Sequence, residues 1–145
     1  MKDDLRDLIY SQEQLAKSIQ NKIDIEEYIS KLTSFATFIP FYKGSVLKAF
    51  VAYYSNDHLK QNAFLTLIVV EEKSRGEGLG KLLLETSIND LISKGFKNYR
   101  LEVEKSNEKA LELYKKYGFQ IVEVTKESYF MNLDLFQYAK REFRF

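Results

Sequence analysis

The spacing of apolar positions changes several times along the chain, and each change marks a predicted element. From Asp3 to Lys22, Leu5, Leu8, Ile9, Leu15, Ala16 and Ile19 recur at helical spacing with charges between them, predicting one amphipathic helix. Asp24 reads as an N-cap with Glu27 three residues on, as in a capping box. Ile25, Tyr28, Ile29 and Leu32 form the next helical stripe. The period then shortens. Ala36 to Tyr42 holds the only proline and reads as an edge or early strand, because proline cannot donate to an inner ladder. Lys43-Gly44 is a turn, and Val46 to Tyr54 is a strand rich in Val, Ala, Phe and Tyr. Beyond a polar loop from Ser55 to Asn62, Ala63 to Val70 is almost continuously apolar, which suits a central strand covered on both faces.

Leu79, Leu82, Leu83, Ile88, Leu91 and Ile92 return to helical spacing, and Gly95 stops that helix. Tyr99 to Glu104 alternates, with Tyr99, Leu101 and Val103 on one face and Arg100, Glu102 and Glu104 on the other. Ser106-Asn107 caps a short helix through Tyr117 that Gly118 ends. Two strands follow, Phe119 to Thr125 and Tyr129 to Leu135, joined by a tight turn at Lys126-Glu127. The aromatic and basic tail Phe136 to Phe145 reads as a surface or packing segment. No strand is evident before Asp3. The order predicts a mixed α/β fold, with parallel pairing in the middle beside antiparallel hairpins, in one domain over residues 1–145.

Composition narrows the chemistry. With 22 basic and 21 acidic residues the net charge is +1, so bulk charge argues for neither a nucleic acid nor a membrane partner. No run of about 18 apolar residues and no leader pattern is present, so a soluble, cytoplasmic protein is expected. Cysteine is absent and His58 is the only histidine, in a polar loop. A thiol nucleophile, a thiolate metal site and a His-dependent triad are thereby disfavoured, and no metal is expected. Chemistry falls to carboxylates, tyrosines, lysines or backbone.

Between the central strand and the next helix runs Arg75-Gly76-Glu77-Gly78-Leu79-Gly80. A glycine-rich turn that opens a helix suits phosphate, since the first helical N–H groups lack internal partners and the dipole adds positive charge there. A Walker A loop needs Ser or Thr after its lysine, but Leu82 follows Lys81. A dinucleotide fingerprint needs G-x-G-x-x-G, and this spacing differs. A plain turn without ligand stays open on these letters alone.

Preceded by Ile68-Val69-Val70, the turn resembles the acetyl-CoA signature of the GCN5-related N-acetyltransferases, R/Q-x-x-G-x-G/A after an apolar strand. A second stretch resembles that family's other signature: a strand and loop with N-x-x-A at Asn107 and Ala110, then L-Y-x-x-x-G-F from Leu113 through Tyr114 to Gly118-Phe119. The resemblance covers residues 63–119. It implies a central mixed sheet flanked by about four helices, and acetyl-CoA as acyl donor. Ile68, Val69 and Val70 would then lie along the pantetheine arm, with Val70 backbone polarising the thioester carbonyl. Arg75, Gly76, Glu77, Gly78, Leu79 and Gly80 would hold the pyrophosphate, and Asn107 would reach the cofactor.

The resemblance also suggests roles for two side chains. Glu102 matches a general base that would deprotonate the attacking amine, directly or through water; a solvated strand carboxylate is the other reading. Tyr114 would give a proton to the departing thiolate; a core tyrosine is the other reading. The LEV-x-x-SN segment is similar to acetyltransferases that modify ribosomal proteins. The short turn at Lys126-Glu127 departs from that subgroup, so a small primary amine is expected as acceptor: an amino sugar, an amino acid or a polyamine. A non-catalytic acyl-CoA sensor and an N-terminal protein acetyltransferase are the alternatives. A homodimer is a common arrangement among such proteins.

Overall fold

The computed structural model describes residues 2–143. Six helices and six strands follow in the order α1 (Lys2–Tyr10), α2 (Glu13–Gln20), α3 (Ile25–Phe35), β1 (Thr37–Lys43), β2 (Val46–Tyr54), β3 (Asn62–Val70), α4 (Leu79–Ser93), β4 (Asn98–Glu104), α5 (Glu108–Lys116), β5 (Gln120–Val124), β6 (Ser128–Asp134) and α6 (Leu135–Phe143). A single 3-10 turn, Glu72–Ser74, follows β3. The strands form one mixed sheet in the order β1-β2-β3-β4-β6-β5.

Two of the six helices exceed the expected four, for separate reasons. The predicted helix from Asp3 to Lys22 is broken at Ser11-Gln12. No aliphatic residue stands between Ile9 and Leu15, and Tyr10 is exposed, so the buried stripe lapses for more than one turn. There the Ser11 hydroxyl donates to the Leu8 carbonyl at 2.6 Å, and Gln12 takes a non-helical backbone with φ −101° and ψ 88°. The second surplus helix is the expected tail, which folds as α6. Leu135, Tyr138 and Ala139 are buried at i, i+3 and i+4, and Asp134 accepts from the Gln137 N–H at 3.0 Å as an N-cap.

The chain forms two compact units. The first runs to Tyr53 and adds Leu67–Leu84. Its three N-terminal helices pack on one another through buried Leu5, Leu8, Ile9, Ala16, Ile19, Ile25, Ile29 and Leu32. Each fully buried Leu or Ile contributes roughly 1.5–3 kcal/mol. Asp24 accepts from the Glu27 N–H at 3.1 Å, the N-cap that the sequence predicts. Arg6 of α1 bridges to Glu26 of α3 at 2.8 Å. β1 pairs antiparallel with β2 and lies at the sheet edge, with Pro40 exposed, where a missing donor costs no ladder bond.

The second unit comprises Tyr54–Thr66 and the chain from Glu85 onward. β4 pairs antiparallel with β6 from Asn98↔Asp134 to Glu104↔Ser128, and β5 pairs antiparallel with β6. The start of β3 pairs parallel with β4 over Asn62–Phe64 against Asn98–Arg100. The predicted alternation on β4 is observed: Tyr99, Leu101 and Val103 are buried while Arg100, Glu102 and Glu104 are exposed. Tyr99 donates its hydroxyl to Ser87 of α4 at 3.0 Å, which places α4 on the buried side. A further expectation fails. β3 is not covered on both faces throughout, since Phe64 is 48% exposed while Ala63 and Leu65 are buried.

Candidate active site

The residues singled out in the sequence divide between the two units. In the first, β3 delivers Ile68, Val69 and Val70 to the 3-10 turn, and Arg75 leads into the glycines. Gly76 and Gly78 have φ of +87° and +81°, a left-handed backbone that side chains with a Cβ rarely adopt. Conformation alone therefore favours glycine at both positions. Gly80 is different. It lies inside α4, and an added Cβ would stand 4.0 Å from Val70 Cγ2, an ordinary contact. Leu79 is buried and opens α4, whereas Glu77 is exposed. The Leu82 N–H reaches the Gly78 carbonyl at 3.0 Å, so the N–H groups of Leu79, Gly80 and Lys81 precede the first i→i−4 bond of a 15-residue helix. That end can take an anion.

The approach to the turn is pinned by charge. Lys48 of β2 pairs with Glu71 at 2.9 Å, the Glu71 N–H donates to the Lys48 carbonyl at 2.8 Å, and Ser74 donates its hydroxyl to Glu71 at 3.3 Å. The hydrogen bond from Lys48 holds the Glu71 carboxyl below its ordinary range, against the opposing effect of burial. Arg75 is exposed, yet its side chain is engaged. Nε donates to the Val70 carbonyl at 3.3 Å, and Nη2 donates to Gln12 Oε1.

In the second unit, Glu102 stands on the exposed face of β4, opposite Phe130 of β6, which in turn lies opposite Glu123 of β5. Among the described residues Glu102 has no hydrogen bond or ion pair. Tyr114 of α5 packs edge-on against Phe119 with centroids 5.6 Å apart, and Phe119 packs on Tyr99 at 5.8 Å. Its ring therefore belongs to the helix-covered side, and Glu102 leaves β4 on the other side. The structure does not join the two by a hydrogen bond. Burial pushes the Tyr114 phenol up to about 12. Its hydroxyl has no hydrogen-bond partner among the described residues. Tyr117, three residues on, instead donates to Glu85 at 2.5 Å. Asn107 caps α5 by accepting from the Ala110 N–H at 3.3 Å, which leaves its amide NH2 group uncommitted by that bond.

Sequence reasoning missed Gln12, Lys48 and Glu71. The chain carries no local mark of them, because each acts on a residue distant in sequence. It also missed an amide relay in which Asn132 donates to Asn98 at 3.1 Å and Asn98 donates to the Gln61 carbonyl at 3.0 Å, while Asn132 Oδ1 is buried without a partner among the described residues. Among the described residues, no group of three or more His, Cys, Asp or Glu could hold a metal ion, and no helix is long and apolar enough to cross a membrane.

Comparison with known proteins supplies the lineage. The profile of the Acetyltransferase (GNAT) family matches residues 2–119. The N-alpha-acetyltransferase MAK3 of Arabidopsis thaliana is 27% identical over 100 residues, covering 69% of this chain; the match spans about half, 53%, of that relative's length. The ribosomal-protein-S18-alanine N-acetyltransferase of Escherichia coli has a similar fold, with a TM-score of 0.68 at 24% identity over 78% of this chain and 77% of that one. The PaiA N-acetyltransferase of Thermoplasma acidophilum, solved in complex with coenzyme A, has a TM-score of 0.73 at 20% identity over 92% of each chain.

Proposed function

Since the chain belongs to the GNAT acetyltransferase family, we propose that it is a single-domain, acetyl-CoA-dependent N-acetyltransferase of the cytoplasm acting on the primary amine of a small molecule. The observation that carries this reading is the turn itself. Two left-handed glycines deliver the chain into α4 with its first N–H groups free of helical partners, as a pyrophosphate requires. Coenzyme A in the PaiA structure supports the same ligand class. Val70 backbone and the residues Ile68 and Val69 would run beside the pantetheine, Arg75 to Gly80 would hold the pyrophosphate, and Asn107 would offer its amide to the cofactor.

The transfer needs three events. Glu102 takes a proton from the ammonium, directly or through water, and frees the nitrogen lone pair. The nitrogen attacks the thioester carbonyl, the C–N bond forms, and the C–S bond breaks. Charge then collects on sulfur. A phenol at about 12 is a weaker acid than a thiol near 8.5, so complete proton transfer from Tyr114 is uphill. Its better role is a hydrogen bond that strengthens as sulfur becomes negative, with the proton shed by the acylated nitrogen completing the thiol. The Tyr114 hydroxyl, without a partner among the described residues, supports that assignment over Tyr117, which is engaged with Glu85.

Small amines are favoured by the closed hairpin between β5 and β6. Thr125 and Ser128 are bonded across Lys126-Glu127, N–H to carbonyl at 2.9 Å, which leaves a two-residue turn with little to grip a peptide. The second reading, acetylation of a protein N-terminus, is favoured by the names of the Arabidopsis and E. coli relatives. Isothermal titration with acetyl-CoA beside ATP–Mg tests the donor, and saturable binding of acetyl-CoA alone is expected. Thiol release is then measured with a panel of amino sugars, amino acids, polyamines and short peptides. Turnover confined to peptides would replace the small-amine reading with the second. A homodimer is part of the first reading, and sedimentation of the purified protein decides it.

A further inference from the structure

We propose that Gln12 is a positioning residue for the acyl donor, acting through Arg75: it fixes the guanidinium at the mouth of the glycine turn while leaving its charge intact. The proposal rests on the reading of residues 75–80 as a pyrophosphate cradle.

Gln12 occupies the break between α1 and α2, where the apolar stripe lapses and the backbone leaves the helix. Its amide orientation is set from both ends. Nε2 donates to Ser11 Oγ at 3.4 Å, and that hydroxyl donates to the Leu8 carbonyl at 2.6 Å. Oε1 is thereby turned to Arg75 and accepts from Nη2. On its other edge the guanidinium donates from Nε to the Val70 carbonyl at 3.3 Å. A long side chain on the surface is thus held at two points, one on the end of β3 and one on the α1–α2 corner. Arginine has five N–H donors. Three of them, both on Nη1 and one on Nη2, have no acceptor among the described residues. A planar fork with free donors next to a helix N-terminus is suited to phosphate oxygens.

The chemistry of the partner is informative. Acidic residues crowd this part of the chain, with Asp3, Asp4 and Asp7 in α1 and Glu13 opening α2. A carboxylate at position 12 would make a stronger, charge-assisted bond to Arg75. It would also neutralise the cation that a phosphate needs, and place a negative charge near the ligand's own. A neutral amide orients the arginine without cancelling it. A staple that served only folding would gain from the carboxylate; a positioning device loses by it.

That opposition is the test. Acetyl-CoA affinity is measured by titration calorimetry, and thermal stability by melting, for the unmodified protein, Gln12→Ala and Gln12→Glu. Gln12→Ala is expected to weaken acetyl-CoA about threefold, and Gln12→Glu tenfold or more, with the melting temperature of Gln12→Glu unchanged or raised. In an Arg75→Ala background, Gln12→Ala should have no further effect on affinity, because the glutamine acts only through the arginine. Unmodified affinity in Gln12→Glu, or an undiminished Gln12→Ala effect without Arg75, overturns the proposal alone. Failure of the unmodified protein to bind acetyl-CoA overturns the cradle reading, and the proposal with it.

Discussion

The glycine turn and the Glu102–Tyr114 pair hold their candidate groups in opposite ways. In the turn, the candidate groups are backbone N–H groups set by two positive φ angles, and the one cationic side chain of residues 75–80, Arg75, is tied to Val70 and Gln12. In the second unit the groups are side chains, and neither the Glu102 carboxyl nor the Tyr114 hydroxyl has a partner among the described residues. Binding an anion rewards groups already aimed, because ordering them later would subtract from affinity. Moving protons rewards groups not already committed to another bond, because a proton held by a protein acceptor is not available to substrate.

The contrast breaks most sharply at Tyr114. Tyr114→Phe is expected to lower kcat about 100-fold while leaving acetyl-CoA affinity unchanged. Its melting temperature should barely move, since no hydrogen bond is lost. Unchanged turnover would return Tyr114 to the core. Glu102→Gln follows, with an expected loss of roughly 10- to 100-fold that shrinks at alkaline pH as more of the amine loses its proton unaided. A loss that stays constant across pH would remove the base assignment.

In the turn, effects should appear in binding rather than in turnover. Gly78→Ala forces a Cβ into a left-handed backbone at a cost of roughly 1–2 kcal/mol, so acetyl-CoA affinity should fall about tenfold. Acid should act on the same region through Glu71. Its carboxyl lies below the ordinary value of 4.5 in the folded protein. The stabilisation is therefore complete above pH 4.5 and is lost as pH falls through the lower folded value. Acid melting curves of Glu71→Gln should show a shallower loss than the unmodified protein in that window. Gly80→Ala is the smallest change: its methyl meets only Val70 at 4.0 Å, so stability and affinity should both stay within about 0.5 kcal/mol of the unmodified protein.

Local pattern determined most of the architecture. The cap at Asp24, the strand limits of β2, the alternation on β4 and the glycine turn into α4 all depend on residues within a few positions of one another, which is what the chain displays. The glycines and the Leu113–Phe119 stretch marked the family for the same reason. A helical stripe can also mislead. Leu5 through Ile19 reads as one helix by spacing, although a gap of five polar or aromatic-polar residues after Ile9 permits a corner. The tail after β6 reads as a surface or packing segment because its mixed aromatic and basic letters obscure the stripe of Leu135, Tyr138 and Ala139, which the structure buries as α6.

The sequence by itself determined the order of elements from Asp24 to Leu135, the glycine turn into α4, and the candidate groups. Tertiary structure alone decided which candidates are committed and which are free. It assigned Arg75 to Gln12, 63 positions away, and Glu71 to Lys48. It turned Tyr114 to the helix-covered side and Glu102 to the other, and it engaged Tyr117 while leaving the Tyr114 hydroxyl open. The reason is physical. Backbone conformation is settled by neighbours in sequence, whereas the protonation and orientation of a side chain are settled by whatever the fold brings within a few ångströms of it.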